Sequence, residues 1–262
     1  EAREAMLAAM DAVGNPSSVH AEGRAARTIV ERARAWVAAL AGVEPERIVF
    51  TSGATEAAER ALPEGATMAV SAAEHDCLAA RAVGDAVLDV APDGLVRPTI
   101  GGVPLAQAFP HDAIGITAAQ NETGVIQPVA QIVQAVRATG RDVRVICDAV
   151  QAAGRLPFDL AQTGAECALL SAHKLGGPKG VGALALAPGV EPGRPLAGGG
   201  QEMRRRGGTE NVIGIAGFGA AAEAALRERE AGVWARVEKF RNILESRLAE
   251  AVPETMFFGQ ES

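Results

Sequence analysis

The stretch Ser171-Ala172-His173-Lys174-Leu175-Gly176-Gly177-Pro178-Lys179-Gly180 puts a lysine just past the end of an apolar run. Lysine is seldom drawn to a buried strand without a chemical reason. The carboxyl ends of strands are also where open α/β sheets bind their ligands. An amine in a partly apolar setting can form a Schiff base with an aldehyde, although the same lysine also reads as a surface residue beside a Gly-Pro turn. Asp148-Ala149-Val150-Gln151-Ala152-Ala153-Gly154 follows a second apolar run, which ends at Cys147. A carboxylate there can keep a proton on a pyridine nitrogen, the condition under which pyridoxal phosphate (PLP) works as an electron sink. It reads equally as a helix N-cap. Ser52-Gly53-Ala54-Thr55 sits between a strand and a helix, where backbone N–H groups and the Thr55 hydroxyl can cradle an anion. A Ser-Gly turn alone is a weak signal. Glu74-His75 follows another strand end; its flat ring can stack on a cofactor or be a structural histidine.

These groups need elements to hold them, and helical and strand patterns alternate along the chain, which predicts an α/β domain with a mainly parallel sheet. The first residues, EAREAMLAAM, read as an amphipathic helix. Ser17 or Ser18 is placed to cap a long helix running to about Ala41, with Ile29, Val30, Trp36, Val37 and Leu40 on its core face. Strands are expected at 47–50, 67–71, 86–90, 113–118, 143–147, 167–171 and 182–187, with helices near 76–83 and 129–139. Continuous apolar pairs such as Val145-Ile146 suit strands covered on both faces. After Pro188 a Gly/Pro/Arg-rich loop runs through Gly207-Gly208, followed by helices near 212–227 and 234–251.

Composition narrows the function classes. The chain has 262 residues, 48% of them hydrophobic, and a net charge of −7. That size holds one large α/β domain or two smaller ones, and an acidic surface disfavours nucleic acid. No apolar stretch reaches the length of a membrane helix, and no signal peptide is recognisable at the start. Three widely spaced cysteines make neither a disulfide framework nor a zinc site. A cytoplasmic protein is expected. Both ends read as cut: the chain opens inside a helix, and at 259–262 a strand is about to begin.

Taken together, Asn15-Pro16-Ser17-Ser18-Val19-His20, Thr51-Ser52-Gly53-Ala54-Thr55-Glu56, Glu74-His75, Asn121-Glu122-Thr123-Gly124, Asp148 to Gly154, Ser171 to Gly180 and Gly198 to Asn211 resemble, in order and spacing, the bacterial cysteine desulfurases of the class V aminotransferase group. The resemblance implies the large domain of the fold-type-I PLP architecture over residues 1–228, without the family's N-terminal strand segment. It makes 229–262 a connecting helix and the start of a truncated small C-terminal domain. It also implies a site. Lys174 binds the cofactor and later moves a proton, Asp148 pairs with the ring nitrogen, and His75 stacks on the ring and is a candidate for acid/base steps. Asn121 and Gln151 reach the ring hydroxyl. Ala54, Thr55, Ser171 and His173 form the phosphate cup, and Thr209 reaches the phosphate of a neighbouring subunit, which implies a homodimer. The implied substrate is L-cysteine, with its sulfur passed to an enzyme cysteine as a persulfide for iron-sulfur cluster or other sulfur-cofactor assembly, with a sulfur-acceptor or scaffold protein as a further partner.

The chain also departs from the family. Leu175-Gly176 stands where relatives have an aromatic residue soon after the lysine, and Gln201-Glu202-Met203-Arg204-Arg205-Arg206 has an added basic look, readable as a solvated loop. The family's persulfide-forming cysteine and its carboxylate-gripping arginine are expected beyond residue 262. Cys147 and Cys167 read as small core residues, whereas Cys77 starts a helix, where a thiolate is favoured. Other readings are a selenocysteine lyase, a small-amino-acid aminotransferase, or a PLP-binding paralogue that acts as a scaffold without turnover.

Overall fold

The computed structural model describes residues 1–107 and 109–259. Its strands are β1 (Ile48–Thr51), β2 (Met68–Ser71), β3 (Val87–Leu88), β4 (Thr99–Ile100), β5 (Val103–Pro104), β6 (Ala113–Thr117), β7 (Arg144–Asp148), β8 (Cys167–Ser171) and β9 (Gly182–Leu186). Its helices are α1 (Ala2–Met10), α2 (Ala21–Ala41), α3 (Ala54–Ala61), α4 (Asp76–Ala79), α5 (Val129–Arg137), α6 (Leu160–Thr163), α7 (Val212–Glu230) and α8 (Val233–Ala251). One sheet runs in the order β1-β9-β8-β7-β6-β2-β3, and β4 pairs with β5 as a separate hairpin. From β8 to β3 the neighbours are parallel, while β9 lies antiparallel to both β8 and β1. Two reversals cancel, so β1 points the same way as β8.

Alternation along each strand feeds two cores, because successive side chains leave on opposite faces. Val145, Cys147, Ala168 and Leu170 join Val37 and Leu40 of α2, Ile132 and Val136 of α5 and Phe218 of α7. Ile146, Cys167 and Leu169 face the other way, onto Ala57, Ala58 and Ala61 of α3 and onto Cys77 and Leu78. Both sheet faces are covered, which explains why β7 and β8 read as continuous apolar runs. Cys147 and Cys167 are fully buried in these cores.

Several boundaries differ from the sequence reading. The cap of α2 is His20, whose Nδ1 accepts the Gly23 N–H at 3.2 Å, rather than Ser17 or Ser18. Those serines are used in the preceding turn, where Ser17 N–H donates to Asn15 Oδ1 at 2.9 Å and Ser18 N–H to Asn15 O. On α2, Val30, Val37 and Leu40 are buried, while Ile29 and Trp36 are half-buried. The strand expected at 86–90 shrinks to two residues and the helix expected at 76–83 to four. Helix α8 has no buried residue; Trp234 Nε1 donates to Gly154 O at 3.1 Å near its start. The strand start expected at 259–262 falls on residues 260–262, outside the described ones. Among the described residues no helix is long and apolar enough to cross a membrane.

Candidate active site

Parallel strands release their following loops at one edge, and four such ends meet there. Thr117 of β6 and Leu169 of β8 flank Asp148 in register. Thr51 of β1 and Ser171 of β8 flank Gly182 of β9. Between these ends lies a cavity of about 470 Å³. Its walls include Ala54, Thr55, His75, Asn121, Asp148, Gln151, Ser171, His173 and Lys174, so nine of the ten residues singled out from the sequence share one space. The tenth, Thr209, is exposed and is not among the lining residues; it sits on the loop before α7.

Asp148 ends β7 and is 5% exposed. Its Oδ1 accepts the Val150 N–H at 2.9 Å, and the Cys77 thiol lies 3.9 Å from Oδ2. Burial pushes its carboxyl up, against the Val150 N–H and the charges of His75 and Lys174. Its hydrogen-bond partners are an amide and a thiol, so no cation bonds this buried carboxylate directly. Lys174 lies on the short 3-10 turn Ala172–Leu175 that follows β8, and is exposed toward the cavity it lines. The turn is tied from below, where Arg155 Nη2 donates to Lys174 O at 2.6 Å. It closes on Gly176 at φ 81, a left-handed position that favours glycine.

Opposite Lys174, α3 starts at Gly53 without any side-chain cap, leaving first-turn N–H groups for an anion. This turn presses on β9: a Cβ at Gly182 would lie 2.7 Å from Gly53 Cα and 2.6 Å from Leu170 O. Only glycine lets the two backbones approach so closely. Ser171 Oγ and His173 Nδ1 share a hydrogen bond of 2.9 Å beside it. Burial, then Lys174 and Lys179, push the His173 imidazole down.

His75 caps the four-residue α4, its Nδ1 accepting the Cys77 N–H at 3.1 Å. That bond leaves the neutral ring its proton on Nε2. Below it, Glu74 Oε1 accepts from Ser71 Oγ at 2.5 Å and from Thr117 N–H at 2.8 Å, stitching β2 to β6. Its other oxygen is buried without a partner, and burial pushes the carboxyl up to about 8. The helix-start setting of Cys77 does not favour a thiolate. Burial and then the adjacent Asp148 charge push this thiol up to about 12.

Sequence reasoning passed over some of the walls. Lys179 and Thr117 line the cavity, and the Thr117 hydroxyl is spent on Ala119 O at 2.9 Å. Glu56 lines it too, one turn into α3, where a position three residues past the cap is a readable hint that its side chain reaches back. The arginine run is not simply a solvated loop. Arg205 bridges Glu191 at 2.7 and 2.6 Å, and Arg206 meets Glu56.

An aldehyde-bearing aromatic phosphate fits these donors. Asp148 makes no hydrogen bond to a cation and would suit a protonated ring nitrogen, the α3 start offers N–H groups to an anion, and Lys174 brings an amine to the same cavity. Fold and cavity thus define a PLP-binding domain of fold type I. Residues 3–262 match the family described as "Aminotransferase class-V", and the chain belongs to that family. It is 43% identical over 244 residues to a cysteine desulfurase of Frankia sp. (strain EuIK1), a match covering 80% of this chain and 55% of the relative. A solved structure titled "NIFS-LIKE PROTEIN" superposes with a TM-score of 0.83 at 34% identity, covering 95% of this chain and 72% of that one. Another, "SspA in complex with cysteine", gives 0.72 at 31%, covering 85% and 68%. The chain spans little more than half the length of the Frankia relative.

Proposed function

We propose that this chain is the cofactor-binding part of a cysteine desulfurase. The reaction breaks the C–S bond of L-cysteine, forms an S–S bond on an enzyme thiol and leaves L-alanine. The observation that carries the reading is the convergence of Lys174, Asp148 and the uncapped α3 start on one cavity. The kinship with proteins named cysteine desulfurase, and with a structure titled "SspA in complex with cysteine", favours this chemistry over other class-V reactions.

PLP bound there supplies an aldehyde that takes up an amine and a cationic ring that draws electrons from the neighbouring carbon. Asp148 would hold the proton on the ring nitrogen, its own charge stabilised by that cation. Gly53, Ala54 and Thr55 would bind the phosphate, with Ser171 and His173 beside them, and Asn121 and Gln151 would reach the ring hydroxyl. Lys174 would tether the cofactor and then hold or release a proton at Nζ. His75, its Nδ1 engaged by the Cys77 N–H, would stack on the ring and take part in acid/base steps through Nε2. The acceptor thiol is none of Cys77, Cys147 and Cys167, all buried with thiols pushed up by that burial. A persulfide sulfur can be handed on, so we further infer a cytoplasmic role in supplying sulfur for iron-sulfur or other sulfur cofactors, through an acceptor or scaffold protein.

The test is to give the intact protein L-cysteine, PLP and a thiol reductant, and separately to trap the cofactor with borohydride. Alanine and sulfide should appear in equal amounts, with the reduced label on Lys174. A label on Lys179, or a keto acid in place of alanine, would overturn the reading, and turnover confined to selenocysteine would make the protein a lyase.

A further inference from the structure

The anion cradle contains a charge of the wrong sign. Glu56 lines the cavity at the start of α3, and its Oε2 accepts the Ser52 N–H at 2.7 Å. A carboxylate there repels a phosphate held by the neighbouring N–H groups. Two guanidinium groups face it. Arg60, from α3 itself, stands 3.6 Å from Oε1. Arg206 arrives from the loop before α7 and forks onto both oxygens, Nε to Oε1 at 3.1 Å and Nη2 to Oε2 at 3.3 Å.

We propose that Arg206 is a positioning residue for the cofactor phosphate: it neutralises Glu56 and holds it against Ser52, so that the α3 start accepts a dianion. The proposal rests on the reading of the cavity as a PLP site. Burial opposes the charge on Glu56, yet Arg206 and Ser52 together hold its carboxyl down to about 2. It is therefore anionic at every working pH, and its neutralisation depends on its partners.

Arg206 is held in place by a buried latch. Glu202 is 4% exposed and accepts from Nη1 and Nη2 of Arg34, each at 2.8 Å, together with the Phe50 N–H at 2.8 Å. Arg34 also donates to Ile48 O at 2.9 Å, tying the loop to β1, the strand that leads into the cradle. Glu202, Met203 and Arg204 sit in the left-handed region at φ 47, 56 and 67. Non-glycine residues keep such a conformation only where surrounding contacts enforce it. The latch thus sets the path that brings Arg206 to Glu56.

Pyridoxal, which has the same ring and aldehyde but no phosphate, separates this role from general support of the loop. In equilibrium titrations of the intact apoprotein, Arg206→Met should weaken PLP binding about tenfold and pyridoxal binding less than about twofold. Adding Glu56→Gln, which keeps an acceptor for Ser52 N–H but removes the charge, should restore most of the PLP affinity. Equal loss of both ligands, or no restoration in the double variant, would overturn the proposal. Where Arg206→Met does not fold, Glu56→Gln alone decides: PLP binding at least as tight as wild type supports the idea, and weaker binding sinks it. A wild-type protein that binds neither ligand removes the cofactor reading itself, and the proposal with it.

Discussion

Asp148 carries the sharpest conflict between local energetics and use. Its carboxyl is raised by burial, so the surroundings resist the charge that the chemistry needs. A protonated ring nitrogen resolves the conflict for both partners. Asp148→Ala should therefore still take up some PLP through Lys174 and the α3 start, yet lose turnover by about a hundred- to a thousandfold, the range for removing a preorganised charge. Cofactor content by absorbance, measured beside alanine release, checks this; turnover at the wild-type rate would remove Asp148 from the mechanism. The same buried charge explains why Cys77 misleads in the sequence. A helix start normally favours a thiolate, but here the thiol faces Asp148 at 3.9 Å and shares its dry surroundings. No one-dimensional pattern reveals that neighbour, which is 71 residues away.

At the scale of elements, the strands of the site were legible because burial on both faces makes them continuous apolar runs, and β8 matches its expected bounds, 167–171. Strand direction was not legible, since periodicity is blind to it, and the antiparallel placing of β9 emerges only from the pairing. The β4–β5 hairpin had a readable sign in Gly101-Gly102, both at positive φ, 56 and 78. Two-residue strands give no periodicity to go with it. The latch between Arg34 and Glu202 spans 168 residues and was beyond reach. The element that most constrains the cradle is β9, through its first residue. Gly182→Ala would drive a methyl into the Gly53 and Leu170 backbones, which cannot swing aside as a side chain can. It should cost about 1–3 kcal/mol of stability, as overpacking does, and weaken PLP more than pyridoxal because the displaced turn is the anion cradle. Thermal melts and ligand titrations read the two effects, and unchanged affinity for PLP would mean that the turn does not hold the phosphate.

For the whole molecule, the open question is whether one subunit suffices. Thr209 is exposed and is not among the residues that line the cavity of its own chain, and the proposal that it reaches a second copy's site can be tested directly. If sites are shared in that way, Lys174→Ala and Thr209→Ala preparations, each impaired alone, should regain activity when mixed and allowed to exchange subunits. One site of each mixed dimer then combines an intact lysine with an intact threonine. Exchange without recovery would show that Thr209 serves its own subunit or none. The sheet order also bears on how the protein is made. Among the described residues β1 lies at the sheet edge and pairs with β9 alone, the last of the described strands. During synthesis β1 must therefore wait for β9, a long-range closure of the slow kind. The turn that follows β1 therefore cannot take its place in the cavity wall until Leu186 has left the ribosome, so the cradle is completed only after β9 is made.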